Sequence, residues 1–278
     1  MELWTCPTCN NAVSTSYCPA CGECPLRTHD LTLRGLCSQV AQACTNIDAP
    51  LLRSFRCLLT QPGVITMAYW QGRRKPYTLP LQLFLFANVL FFAMQSVTGA
   101  KIFTTPHDQH LHSDIWGGVA QQLVAHRLTT QQTTMDVYTP VFNQAVALNA
   151  KSLIVLMVLP FALLPAMLFH GSGRPFVVHI VFSLHVYAFL LLLLCFSLAA
   201  VSVDGLFGGR GLESGSFDHA LSIVELMLCA IYLYIAAGTV YGARGVARIL
   251  KVLPLALAVG GIFLGYQFTM LLITLNST

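Results

Sequence analysis

Five stretches of this chain, residues 79–97, 152–169, 176–203, 221–241 and 252–275, stay apolar for about the 20 residues a helix needs to cross a bilayer. Nothing else constrains the fold as strongly. In hydrocarbon a backbone N–H or C=O finds no water, so each such stretch must satisfy its own hydrogen bonds as a helix. The second stretch is the shortest and carries Pro160 and Pro165; neighbouring helices can re-satisfy the backbone groups those prolines free. Across 278 residues, 55% are apolar and 9% charged, as expected of a membrane protein. The predicted architecture is an all-α polytopic membrane protein with about five transmembrane helices in 79–278. A small ribbon in 1–26 and amphipathic cytosolic or interfacial helices in 27–78 precede it.

The ribbon is written as Cys6-Pro-Thr-Cys9, eight residues, then Cys18-Pro-Ala-Cys21. Two CxxC knuckles present four thiolates as a tetrahedron about 2.3 Å from a zinc ion, and an eight-residue spacer suffices for a short zinc ribbon. A segment this short has no core of its own, so bound metal would supply its folding energy. A disulfide-bonded tip needs an oxidising compartment, and a rubredoxin-like iron site has the same S4 geometry. Cys24, three residues past the second knuckle, is a spare thiol.

Orientation follows from Lys and Arg. With the N-terminus in the cytosol, inside segments hold Arg27, Arg34, Arg53, Arg56, Arg73, Arg74, Lys75, Arg174, Arg244, Arg248 and Lys251, which is 11 of the 15. The outside keeps Lys101, Arg127, Lys151 and Arg210. Five spans then place the C-terminus externally and the ribbon in a reducing compartment, which favours metal over disulfide. Cys37, Cys44, Cys57, Cys195 and Cys229 read as free, small apolar side chains. The first apolar run begins near position 79, too late for a cleavable leader of about 15 to 30 residues, so the first span is expected to act as the targeting element too. The pI near 8.5 reflects the basic inner face; no basic and aromatic motif points to nucleic acid.

Helical spacing of Leu33, Leu36, Val40, Ala43, Cys44 and Ile47 predicts one amphipathic helix. A second begins at Asp48 and Pro50 and ends at Gln61-Pro62-Gly63; a third covers 64–71 and carries Tyr69 and Trp70, residue types that settle at headgroup level. All three are expected on the inner leaflet. Arg73, Arg74 and Lys75 directly precede the first span, and each cation near an anionic leaflet is worth about 1 kcal/mol, which makes the triplet a lipid or anion site as well as a topology signal. The external loop 98–151 is expected to hold one helix, from 115 to about 126. Its His107, His110 and His112, with Asp108, form a possible divalent-metal cluster or an ordinary polar loop. The loop 204–219, rich in Gly, reads as a flexible turn.

Ionisable groups inside spans usually face a bundle interior or a cavity. His179, His185 and Glu225 are such groups. The histidines lie six residues apart, about 120° around the helix, so they serve different neighbours. Ser222, Glu225, Cys229, Tyr232, Ala236 and Thr239 recur at spacings of three and four, giving the fourth span one small, polar face. Gly261, Gly265 and Thr269 form a row that permits close helix approach, and Asn88 and Gln95 share a face of the first span. These residues read either as polar glue between helices or as a hydrophilic pathway or headgroup pocket.

The ribbon, followed by Pro62-Gly63, Tyr69-Trp70-Gln71-Gly72-Arg73-Arg74-Lys75-Pro76-Tyr77 and Pro80, resembles an uncharacterised bacterial inner-membrane protein family, a domain of unknown function with an N-terminal zinc ribbon. His179-Ile-Val-Phe182-Ser-Leu-His185 is similar to that family's histidine-bearing third span, and Tyr232 through Tyr241-Gly242 to its next one. The resemblance implies a bacterial inner-membrane location and brings no known activity.

No GxxxxGK[ST], HExxH, GxSxG or CxxCH motif is present. The expected function is therefore a non-enzymatic scaffold in membrane assembly or envelope maintenance. Its zinc ribbon and basic surface would dock a protein partner, a second copy or anionic lipid. The alternatives are a component of lipid or small-solute transport, and a membrane enzyme using His185 or Glu225.

Overall fold

In a computed structural model of the protein, the structure describes residues 3–25, 50–99, 102–103, 110–111, 115–206 and 215–278. The helix expected across Leu33 to Ile47 lies outside these residues, as do His107 and His112. The ribbon pairs β1 (Trp4–Thr5) with β2 (Ala12–Val13) antiparallel, Trp4 opposite Val13. Helix α1 (Pro50–Thr60) and α2 (Val64–Trp70) form a hairpin, and α3 (Pro80–Thr98) begins beyond the basic linker. Then come α4 (Gly117–Gln131), α5 (Met135–Leu153), a 3₁₀ turn (Ile154–Met157), α6 (Val158–Leu168), α7 (Phe176–Leu206), α8 (Gly215–Tyr241) and α9 (Gly245–Ser277).

Among the described residues four helices are long and apolar enough to cross a membrane: Pro80–Thr98, Phe176–Val203, Ala220–Tyr241 and Gly245–Ser277. The expected span at 152–169 is not one uninterrupted α-helix. Pro160 has no N–H for the carbonyl four residues back, and α-helical bonding gives way to the 3₁₀ turn before it. The 11-residue α6 is too short to cross alone. A helical path nevertheless continues from α5 through the turn into α6, antiparallel to α9. Tyr138 Oη meets Thr278 Oγ1 at 2.7 Å, Tyr266 Oη donates to the Ala150 carbonyl at 3.0 Å, and Lys251 lies over the Phe169 ring.

One end of the bundle is basic: Arg53, Arg56, Arg73, Lys75 and Arg244 are exposed there, and the only described acid near them is the buried Glu23. At this end Phe169 stacks on Tyr241, 4.2 Å between centroids, joining the end of α6 to the end of α8. The opposite end is capped by α4 and α5, which pack Ala120, Val124, Tyr138, Phe142 and Val146 against Leu271 and Leu275 of α9. Loop 98–151 was expected to hold one helix, and its described residues include both α4 and α5. Its Thr- and Gln-rich composition hid the apolar face through Tyr138, Phe142, Val146 and Ala150, all buried. His110 sits in this cap, edge-on to Phe142 and accepting a long hydrogen bond from Trp116.

Helix α2 packs into the bundle, while α1 buries only Ser54, Cys57 and Leu58. Thr66 of α2 bonds His185, which is nine residues along α7 and so roughly 13 Å from its start. Ile65, Thr66, Ala68 and Tyr69 are buried against the bundle. The turn between the helices puts Gly63 at φ 85, with its Cβ position 2.9 Å from Thr239 Cβ and 3.0 Å from the Ala236 carbonyl oxygen. Only glycine fits both that conformation and that approach.

Candidate metal centre and its seat on the bundle

Each CxxC knuckle closes by the same backbone device. The Asn10 N–H donates to the Cys6 carbonyl and the Gly22 N–H to the Cys18 carbonyl, both from left-handed residues at φ 59 and φ 72. Asn and Gly are the residues that tolerate this conformation. The knuckles converge so that the four Sγ atoms of Cys6, Cys9, Cys18 and Cys21 lie within 4.8 Å of one another. The shorter separations are 3.5 Å for Cys6 to Cys21, 3.4 Å for Cys9 to Cys18 and 3.8 Å for Cys21 to Cys9. A tetrahedron of sulfurs about 2.3 Å from a zinc ion has edges of about 3.8 Å, so the set is already close to coordination geometry. All eight described cysteines are free thiols, and Cys24 is exposed, outside the four.

Burial would raise the Cys18 thiol, but backbone N–H groups of Cys21 and Ala20 and the neighbouring thiols outweigh it and bring Cys18 down to about 7. For Cys21 the backbone N–H of Glu23 favours the thiolate, yet burial and the three other thiols push it up to about 12. Four ionised sulfurs cannot share this space without a cation, which is the electrostatic signature of a thiolate metal site.

The ribbon is seated on the bundle by a residue the sequence reading passed over. Glu23 is 3% exposed, and its Oε2 accepts from Thr8 Oγ1 at 2.8 Å and from the backbone N–H groups of Arg74 and Lys75, each at 3.0 Å. The Lys75 chain lies along Gly22. The basic triplet therefore has two roles by position: its backbone clamps the ribbon, while the side chains of Arg73 and Lys75 stay exposed and the Arg74 guanidinium lies 5.1 Å over Tyr69. Trp70 lies beneath Arg174 in the same way. Both aromatics thus meet basic side chains of this chain. Ser54, fully buried, accepts from the Thr78 N–H and donates to the Pro50 carbonyl, pinning the linker to α1.

The intramembrane polar residues are not brought together. His179 Nδ1 pairs with Tyr241 Oη at 2.9 Å, and His185 Nδ1 with Thr66 Oγ1 at 2.8 Å. Tyr232 is buried and stacks on Phe189, 3.9 Å between centroids. Glu225 is half-buried and lines a cavity of about 440 Å³ whose wall includes Tyr187 and Cys229 and leaves out His185. Among the described residues nothing comes within 4 Å of the Cβ positions of Gly261 and Gly265; with Thr269 they line a lateral groove of about 350 Å³ that Leu156 and Pro160 also line. Nothing local singled out Glu23, whose partners lie 51 and 52 residues away. For Thr66 and Tyr187 no local signal exists.

Residues 48–92 match the sequence profile of a family described as "Protein of unknown function (DUF3667)". The matched segment runs from the start of the hairpin through the linker that seats Glu23 and into α3. No curated protein matches the chain, and no solved structure does.

Proposed function

Starting from that match to a family without an assigned activity, we propose that the protein is a non-enzymatic scaffold of the bacterial inner membrane whose zinc-loaded ribbon is a docking head. In this reading the N-terminus is cytosolic, the C-terminus external, and the process is membrane assembly or envelope maintenance. The clamp at Glu23 carries the proposal, because a head held by a buried carboxylate meets a partner as part of the bundle rather than as a tethered tail, at a lower ordering cost. The presented surface supports it too. Trp4 Nε1 donates to the Thr15 carbonyl at 2.8 Å and Thr15 Oγ1 to the Tyr17 carbonyl, a loop held so that Tyr17 stands 57% exposed. A fixed, exposed tyrosine is a frequent anchor at interfaces. The exposed cations of the basic end, of which Lys75 lies along the ribbon at Gly22, suit an acidic partner surface or anionic headgroups.

The test places a photo-crosslinking residue at position 17 in native membranes. A discrete adduct that disappears in Cys18→Ser supports a metal-dependent docking head. No adduct, or one indifferent to Cys18→Ser, overturns it. The second reading, a component of lipid or small-solute transport, is favoured by the cavity at Glu225.

A further inference from the structure

The cavity between α7, α8 and α9 lies beyond the docking function and stands on its own geometry. Its volume, about 440 Å³, falls within the range of small-molecule sites. Its wall is mostly leucine and phenylalanine, with Ser197, Ser222, Glu225 and Tyr187 as the oxygen-bearing residues. Tyr187 is 4% exposed, and its hydroxyl has no hydrogen-bond partner among the described residues. An unpaired hydroxyl in an apolar surround is costly, and an acceptor on a ligand would remove that cost.

The two polar residues stand at different depths. Tyr187 is eleven residues beyond Phe176, roughly 16 Å from the basic end, and Glu225 sixteen residues before Tyr241, roughly 24 Å from it. In a hydrocarbon layer about 30 Å thick, the hydroxyl is near the midplane and the carboxyl farther toward the opposite face. A carboxylate offers about four lone-pair sites, so Glu225 can accept from a ligand whatever else it meets. A ligand seated here therefore has to offer a donor to Glu225 and an acceptor to Tyr187. Hydroxyls do both; a fatty-acid carboxylate only accepts, so it can satisfy Tyr187 and leaves Glu225 without a donor.

We propose that this cavity binds an uncharged single-chain lipid with two neighbouring hydroxyls, a monoacylglycerol-type amphiphile, one hydroxyl at Tyr187 and the other at Glu225, its chain against the leucines of α7.

The experiment uses the full chain in nanodiscs with a monoacylglycerol carrying a diazirine in its acyl chain, followed by peptide mapping of the adducts. Adducts are expected on α7 and α8 between 187 and 229, displaced by excess unlabelled monoacylglycerol and about tenfold less well by the matching fatty acid. Tyr187→Phe removes only the unpaired hydroxyl. It should keep the thermal stability of the protein and lower labelling about fivefold, the worth of one neutral hydrogen bond. Glu225→Gln keeps the size of the side chain and should abolish discrimination against the fatty acid. Labelling unchanged in both variants, or spread evenly around the bundle as annular lipid, overturns the proposal. So does displacement by the fatty acid or by a cationic alkylamine that is as effective as displacement by monoacylglycerol.

Discussion

Removing the Glu23 carboxylate isolates the contact between ribbon and bundle. In Glu23→Ala the N–H groups of Arg74 and Lys75 lose an ionised acceptor held at 3.0 Å, and Thr8 loses a bond internal to the ribbon. A hydrogen bond to a charged group contributes about 1.5 to 3 kcal/mol. The lower value applies here, because Lys75 is exposed and its amide rehydrates once the ribbon lifts. Two such bonds give about 3 kcal/mol, and the ratio of seated to lifted ribbon should fall roughly a hundredfold. Amide exchange of the peptide spanning 72–78, in nanodiscs, reads this directly: its protection should drop by about that factor while the metal content stays at the wild-type level. Thr8→Val serves as the internal control, since it removes only the ribbon's own bond and should leave 72–78 protected. If exchange of Arg74 and Lys75 is the same in Glu23→Ala as in wild type, the clamp does not hold the ribbon.

Metal analysis of purified protein should give one zinc per chain, close to none in Cys18→Ser and an unchanged amount in Cys24→Ser, whose thiol stands apart from the four. Acid should strip the metal: with Cys18 near 7 and Cys21 near 12 in the absence of metal, uptake must displace protons, so apparent affinity rises with pH and falls steeply below neutrality; a pH-independent affinity would contradict a four-thiolate site. Gly63→Ala should cost about 2 kcal/mol and lower the melting temperature by several degrees, because the new methyl meets Thr239 and the Ala236 carbonyl at a φ that alanine disfavours. Alkaline phosphatase fused after Thr278 should be active and after Arg248 inactive; the reverse pattern would mean that the path through α5 and α6 does not cross.

The apolar runs at 79–97, 176–203, 221–241 and 252–275 were legible as helices because hydrocarbon leaves the backbone one local solution, and bonds from residue i to i−4 need no knowledge of the rest of the chain. The four cysteines were legible for a related reason: a CxxC knuckle closes within five residues, by turns that Asn10 and Gly22 themselves permit. Tertiary structure decided the contacts that span long stretches of chain. Glu23 meets residues 51 and 52 positions away, Thr66 meets His185 across 119 and Tyr138 meets Thr278 across 140. None of these pairs leaves a periodic trace, so nothing local marked α2 as packed against α7, and α5 read as loop when it is half of the far cap. The same holds for Gly261 and Gly265, whose spacing promises a close helix neighbour that the described residues do not supply. Composition reports which segments must leave water; which neighbour each one then meets depends on packing and on long-range pairing of buried polar groups, and those exist only in the folded bundle.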